Sequence, residues 1–276
     1  MIKLSQLAIY PIKSTAQIPL TTATTGLFGL ENDRRWMLID ARAQMLTQRK
    51  HARMCLIQSS IQQASLTVSA PGMPDLSIPL NTPRPETNSP AHTQIQATVW
   101  EDTCNADDCG QQAADWFSEF LSCPARLVRF ADAEKRQVDL NFARPGDITA
   151  FSDGFPYLLI SQASLDDLNS HLSTPVNMDR FRPNIVISGT DPFAEDHWKK
   201  IRIGNIEFSI VKPCSRCIIP SIDPGSAEKT VEPLKTLASY RQRDNKIFFG
   251  QNVIARKVSP ADSAILEVGM DVIILE

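Results

Sequence analysis

Apolar residues in this 276-residue chain gather in runs of strand length and no longer. The strongest, "YLLI", "NIVI" and "DVIIL", are short, rich in β-branched residues and bounded by turn formers. None approaches the roughly 20 apolar residues that a membrane-spanning helix requires, so no membrane span is expected. Elsewhere "KLSQLAIYPI", "RRWMLID" and "ASLTVSA" alternate or concentrate β formers, the signature of strands. Nineteen prolines against eleven glycines fit many short strands joined by stiff connections. "DARAQ" reads as a hairpin connection. The proline-rich "NTPRPETNSPAHTQ" (81–94) reads as an exposed loop, since "IQATVW" resumes a strand at once.

The period changes at Asp107. "DDCGQQAADWFSEFL" puts Ala113, Trp116, Phe117 and Phe120 on one face, an amphipathic helix with aspartates at its positive end. "SQASLDDLNSHL" predicts a second helix capped by Ser161, and "TVEPLKTLASYRQ" a third, with Thr230 as cap and Pro233 in the first turn. Further strands follow at "RPNIVISG", "IRIGNIEFSIV", "NVIARKV" and "DVIILE". Regular strand–helix alternation is missing, so a doubly wound sheet is not expected. The expected class is β-rich α+β, two β modules sharing a cleft with a few packed helices.

The chemistry is narrowed first by exclusion. Nucleotide-binding glycine loops, HExxH and GxSxG are all missing, and the four histidines are scattered. A net charge of −3 gives no reason to expect nucleic acid as a partner. The N-terminus has no apolar run suited to a signal peptide, so a cytoplasmic protein with reduced cysteines is expected. Cys104 and Cys109 have one iron–sulfur spacing, but residue 112 is glutamine where the next ligand would fall. Cys55 and Cys123 read as small core residues.

Cys214 and Cys217, in "KPCSRCIIPSIDPGS", leave more open. A structural zinc needs a second pair, which is missing, and a thioredoxin-like motif should open a helix, whereas "IIPSIDPG" is turn-rich. A metal or redox role and two half-buried structural cysteines both remain. Arg216 between them favours a thiolate. Asp223 in "DPG" reads as a turn former.

"YPIKS", "DRRWMLID", "FSDGFPYLLIS" with "ASLDDLN", "FRPNIVISG", "CSRC" before "DP", "EPLKTLASYR" and "FGQN" occur in one order across the chain. Together they resemble the molybdenum cofactor sulfurase C-terminal (MOSC) domain preceded by its N-terminal β-barrel domain, most of all the amidoxime-reducing proteins and bacterial reductases of N-hydroxylated bases. The resemblance implies a β-barrel-like domain over 1–122 and a MOSC barrel over 123–276. It implies a molybdenum cofactor whose metal is held by Cys217, with Ser215 and Arg216 at positions that hold the cofactor and Cys214 a neighbour. Lys13, Ser14 and Arg34 fall at phosphate-binding positions, Arg182 and Asn184 at the pterin, and Asp153, Gly154 and Phe155 at the cofactor. Gly154 departs from the hydroxyl residue of the nearest relatives. The implied activity is reduction of N-hydroxylated small molecules to amines. The chain closes at "DVIILE" without a ferredoxin-like extension, so electrons are expected from a separate flavin or iron–sulfur protein. The alternative is a non-catalytic carrier of the cofactor or of sulfur.

Overall fold

The computed structural model describes residues 1–80, 94–256 and 264–276. The loop expected over 81–94 lies, but for its last residue, outside them, as do the last two residues of "NVIARKV".

Two sheets dominate. In the larger, strands run in the order Ile18–Leu20, Lys3–Ile9, Ile185–Ser188, Tyr157–Ser161, Lys246–Arg256, Ile206–Ser215, Lys200–Ile203 and Val272–Ile274, with Gln242–Arg243 added to Lys246–Arg256. A parallel pair joins Tyr157–Ser161 to Ile185–Ser188 through the helix Gln162–Ser170. Alternation divides the side chains between two layers. Leu159, Ile185 and Ile187 enter a core with Leu7, Phe208 and Val253. Ile160 and Val186 face the opposite way, onto Leu165, Leu168, Phe181 and Phe249. The strands are therefore buried on both faces, which explains their continuous apolar runs. Gly250 is needed here: its φ is +82°, and a Cβ would stand 2.6 Å from Ile160 Cγ1.

The smaller sheet orders Trp36–Ile39, Arg126–Phe130, Asp102–Asp108 and Gln94–Val99. Trp36 and Leu38 pack with Phe117 and Phe120 of the helix Gln111–Leu121. Met37 and Ile39 pack on the other side with Phe130 and Phe151. A three-stranded sheet, Gln58–Gln62, Ser65–Ser69 and Leu76–Pro79, closes over the first of these cores. "DARAQ" is the expected connection, with Asp40 Oδ1 accepting the Arg42 and Gln44 amides. The result is β-rich, as expected, and among the described residues no helix is long and apolar enough to cross a membrane.

Two helix starts differ from expectation. Asp107 and Asp108 belong to a strand, because their backbone pairs with Arg129 and Val128. Asp108 then binds Arg126 and the Gly110 amide rather than sitting in a first helical turn. The C-terminal helix begins at Leu234, not after Thr230. Glu232 takes the capping part, its carboxylate accepting the Thr236 amide at 3.0 Å, while the Thr230 hydroxyl donates to the Glu232 carbonyl. Ser161 caps its helix as expected, accepting the Ser164 amide at 3.1 Å.

Candidate functional site

The site lies where the two sheets meet. Segments 10–14 and 33–36 leave different strands and are laced together: Arg34 N donates to Tyr10 O, Lys13 N to Trp36 O and Trp36 N to Pro11 O. Phe151 N donates to Arg34 O, tying in the second half of the chain. Against this wall stand the turn before Arg182 and the end of strand Ile206–Ser215. That strand slips register against Lys246–Arg256 between Ile210 and Lys212 and again between Pro213 and Ser215. Such bulges bend a strand and re-aim its side chains; here pairing resumes at Ser215 with Phe248, and Cys214–Cys217 line the cleft.

All eleven residues singled out from the sequence line this one cleft of about 130 Å³: Lys13, Ser14, Arg34, Asp153, Gly154, Phe155, Arg182, Asn184, Ser215, Arg216 and Cys217. Five basic side chains, Lys13, Arg34, Arg49, Arg182 and Arg216, face a single carboxylate, Asp153. A chain of net charge −3 thus presents a strongly positive pocket, suited to an anion held by lysine and guanidinium groups without a glycine loop. Ser14, Arg34 and Arg182 have φ of 68°, 47° and 58°. Left-handed backbone at non-glycine residues is costly and gathers at functional sites.

The cations are held by the protein. Lys13 is buried and donates to Phe151 O at 2.8 Å and to Asp153 Oδ1 at 2.5 Å. Burial pushes its pKa down, opposed by Asp153. For Asp153 itself, desolvation works upward but the Lys13 ammonium, Arg49 and the Trp100 N–H outweigh it and hold the carboxyl below its usual range. Arg34 donates to Asp33 Oδ2 at 2.6 Å, Asn184 Oδ1 at 3.0 Å and Arg182 O at 3.1 Å. The guanidiniums of Arg34 and Arg182 stack on the Tyr10 ring at 4.3 and 4.1 Å. Asn184 is spent on the protein: besides Arg34 it accepts the Leu158 amide and donates to Ala8 O. Gly154 has open space where a Cβ would stand.

The cysteine pair is asymmetric. Cys214 Sγ accepts from Arg216 Nη1 at 3.1 Å, and Arg216 Nη2 donates to Phe181 O. Cys217 is half-buried and stands beyond the strand end. All six cysteines are free thiols, and burial pushes Cys55 and Cys104 up to about 11. Cys123 is half-buried against the core of Trp36, Phe117 and Phe120, with its sulfur 3.8 Å from His51 Nδ1.

Among the described residues no three histidine, cysteine or acidic side chains converge as a metal site. Three lining residues also carry a buried polar atom without a partner among the described residues: Ser152 Oγ, Tyr157 OH and Arg216 Nε. A soft thiol, a ring of cations and these orphaned groups fit a metal delivered by a phosphorylated organic cofactor. Sequence reasoning passed over Tyr10, Asp33, Arg49 and Trp100, which hold or rim the site.

Fold and site define a two-module β protein whose modules share a basic, thiol-bearing cleft. The chain belongs to the MOSC family: residues 1–124 match the MOSC N-terminal beta barrel domain and residues 147–272 the MOSC domain. It is 40% identical to human mitochondrial amidoxime-reducing component 1 over 87% of this chain and 72% of that protein. Identity to human mitochondrial amidoxime reducing component 2 is 35%, over 87% of this chain and 72% of that one. A zebrafish molybdenum cofactor sulfurase is 31% identical over 98% of this chain and 34% of its own length.

Proposed function

We propose that the protein is a molybdenum-cofactor-dependent reductase of N-hydroxylated compounds, fed with electrons by a separate flavin or iron–sulfur protein. The observation that carries this reading is the half-buried thiol of Cys217, beside an Arg216-bonded Cys214, in a cleft of five cations, without a competing ligand cluster among the described residues. Cys217 would hold the metal. Lys13, Ser14 and Arg34 would hold the phosphate, and Arg182 would lie against the pterin. Asn184 acts through Arg34 rather than on the ring, because its amide is engaged by Arg34, Leu158 and Ala8. Arg216 is fixed by Cys214 and Phe181 with its Nε free to donate into the cleft. Asp153, Gly154 and Phe155 form the rim.

When bound, the cofactor supplies a two-electron redox centre. The net change is reduction of R–NH–OH by two electrons and two protons to R–NH₂ and water. The chain contributes anchoring, orientation and a rim that shapes access. The names of the amidoxime-reducing relatives support the reductase; the sulfurase relative supports the second reading, a carrier of cofactor or sulfur. Protein purified from a cofactor-producing host, assayed for molybdenum and given a chemical reductant with an N-hydroxylated purine, decides between them. Turnover to the amine is expected. Stoichiometric molybdenum without turnover would establish the carrier.

A further inference from the structure

A second cavity, of about 910 Å³, opens beside the cleft and shares Arg49, Asp153, Gly154 and Phe155 with it. At the border stands Trp100, first residue of the two-residue turn between strands Gln94–Val99 and Asp102–Asp108. It is 39% exposed with φ of 57°. Tight hairpin turns place glycine or asparagine at such a position, because a Cβ makes left-handed backbone costly. A large, half-exposed aromatic there points to a function rather than to the turn. The indole is also fixed: Nε1 donates to Asp153 Oδ1 at 3.2 Å, and the Arg49 guanidinium lies 4.2 Å from the ring centroid. Two flat π-bearing groups thus stand stacked at the mouth of the cofactor cleft, locked to a residue of its rim.

The charges of the second cavity are unequal in their freedom. Asp102 is bound by Arg136 and Asp153 by Lys13, while Asp40 and Asp139 accept amides of their own turns. Glu101 is the one lining carboxylate without such an engagement among the described residues. Against it, Arg42, Lys50 and Lys212 line the cavity and form no ion pair among the described residues; Lys212 lies over the rings of Phe142 and Phe155.

We propose that Trp100 and Arg49 are the platform that positions substrate, and that the cavity beside them selects planar N-hydroxylated compounds carrying an anionic group. The inference rests on the reductase reading for its chemistry, but its binding half stands on the cavity. A planar base lies along the Trp100–Arg49 stack with its N-hydroxyl group toward Cys217, and its anionic tail meets Arg42 and Lys50.

The test compares three substrates on reduced holoprotein: an N-hydroxylated purine nucleoside monophosphate, its free base and an aliphatic hydroxylamine. Trp100→Ala should lower kcat/KM for both planar compounds about tenfold more than for the aliphatic one, through KM, as lost base stacking predicts. Trp100→Phe should restore most of it. The double variant Arg42→Ala, Lys50→Ala should raise KM about tenfold for the monophosphate relative to the free base. Equal losses for all three substrates in Trp100→Ala would overturn the platform, and equal KM changes in the double variant would overturn the anion contact. Calorimetry with adenosine monophosphate separates this inference from the reductase reading. Binding weakened by Trp100→Ala without any turnover would sink the reductase and leave the platform standing. No binding to the wild-type holoprotein would overturn the platform.

Discussion

Replacing Lys13 by methionine separates the stability of the site from its charge. The ammonium is 6% exposed, its partner Asp153 63%. Removing the lysine forfeits charge-assisted bonds to Asp153 and Phe151 O, each worth about 1.5–3 kcal/mol net. It also relieves the desolvation of a buried ammonium, a cost of several kcal/mol and the main reason its pKa is pushed down. Asp153 rehydrates readily, so no buried anion is stranded. The opposing effects leave a stability change within about 2 kcal/mol, or roughly 4–8 °C of Tm at most for a chain of this size. Affinity for a phosphate behaves differently: one charge-assisted contact of about 1.5–3 kcal/mol corresponds to roughly ten- to hundredfold weaker binding. Thermal melts of cofactor-free wild type and Lys13→Met, paired with molybdenum content of both purified from the same host, read the two effects apart. A fall in Tm well beyond that range with molybdenum content unchanged would make Lys13 a structural strut and refute the phosphate role.

Cys217→Ser should lose molybdenum and activity. Cys214→Ser should keep both, since a hydroxyl can still accept from Arg216; metal analysis of the two variants decides, and the opposite result would exchange their roles. Tyr10→Phe should retain cofactor, because the ring that carries both guanidiniums remains, whereas Tyr10→Leu should lose it together with two cation–π contacts of about 0.5–2 kcal/mol each; equal occupancy in both would remove the ring from the argument. Asp153 has a folded pKa below its unfolded value, so its stabilisation is complete above about pH 4 and is lost as pH falls through the folded value. The stability gap between wild type and Asp153→Asn in urea titrations should therefore narrow as pH drops below about 4, and a gap that widens would reverse the assignment.

Strands were legible because alternation and continuous apolar runs follow from which faces are buried, as at Trp36–Ile39. Ser161 was legible because its hydroxyl acts within three residues of itself. Helix starts were misread where a longer-range partner won: Asp107 and Asp108 pair with Arg129 and Val128, and Glu232 reaches Thr236 in place of Thr230. The lining residues were reached through separated motifs whose joint order resembles a family, not through any local pattern. Tyr10 and Asp33 head two of those motifs without a role assigned to them there, and Arg49 and Trp100 lie outside the motifs altogether. Their importance depends on meetings across the fold, Arg49 with Trp100 and Trp100 with Asp153, and on left-handed backbone at residues other than glycine, which sequence does not advertise.

The placement of the cleft has an energetic consequence. Four of its five cations come from segments 10–14 and 33–36 on one side and from 182–184 and 214–217 on the other, Arg49 being the fifth, and three of them are fixed across the seam. Arg34 bonds Asn184 and the Arg182 carbonyl, Lys13 bonds the Phe151 carbonyl, and Arg182 donates to Thr15 O at 2.6 Å. Five guanidinium and ammonium groups set against the carboxylates Asp33 and Asp153 leave an excess of positive charge, so these cross-seam bonds hold like charges together against their own field. An anion seated among them reverses that repulsion and draws both modules together. Binding to the assembled state alone must stabilise it in proportion to occupancy. An anion bound in this cleft and the junction of the two modules are therefore coupled: whatever loosens the seam weakens the anion site, and whatever fills the anion site tightens the seam.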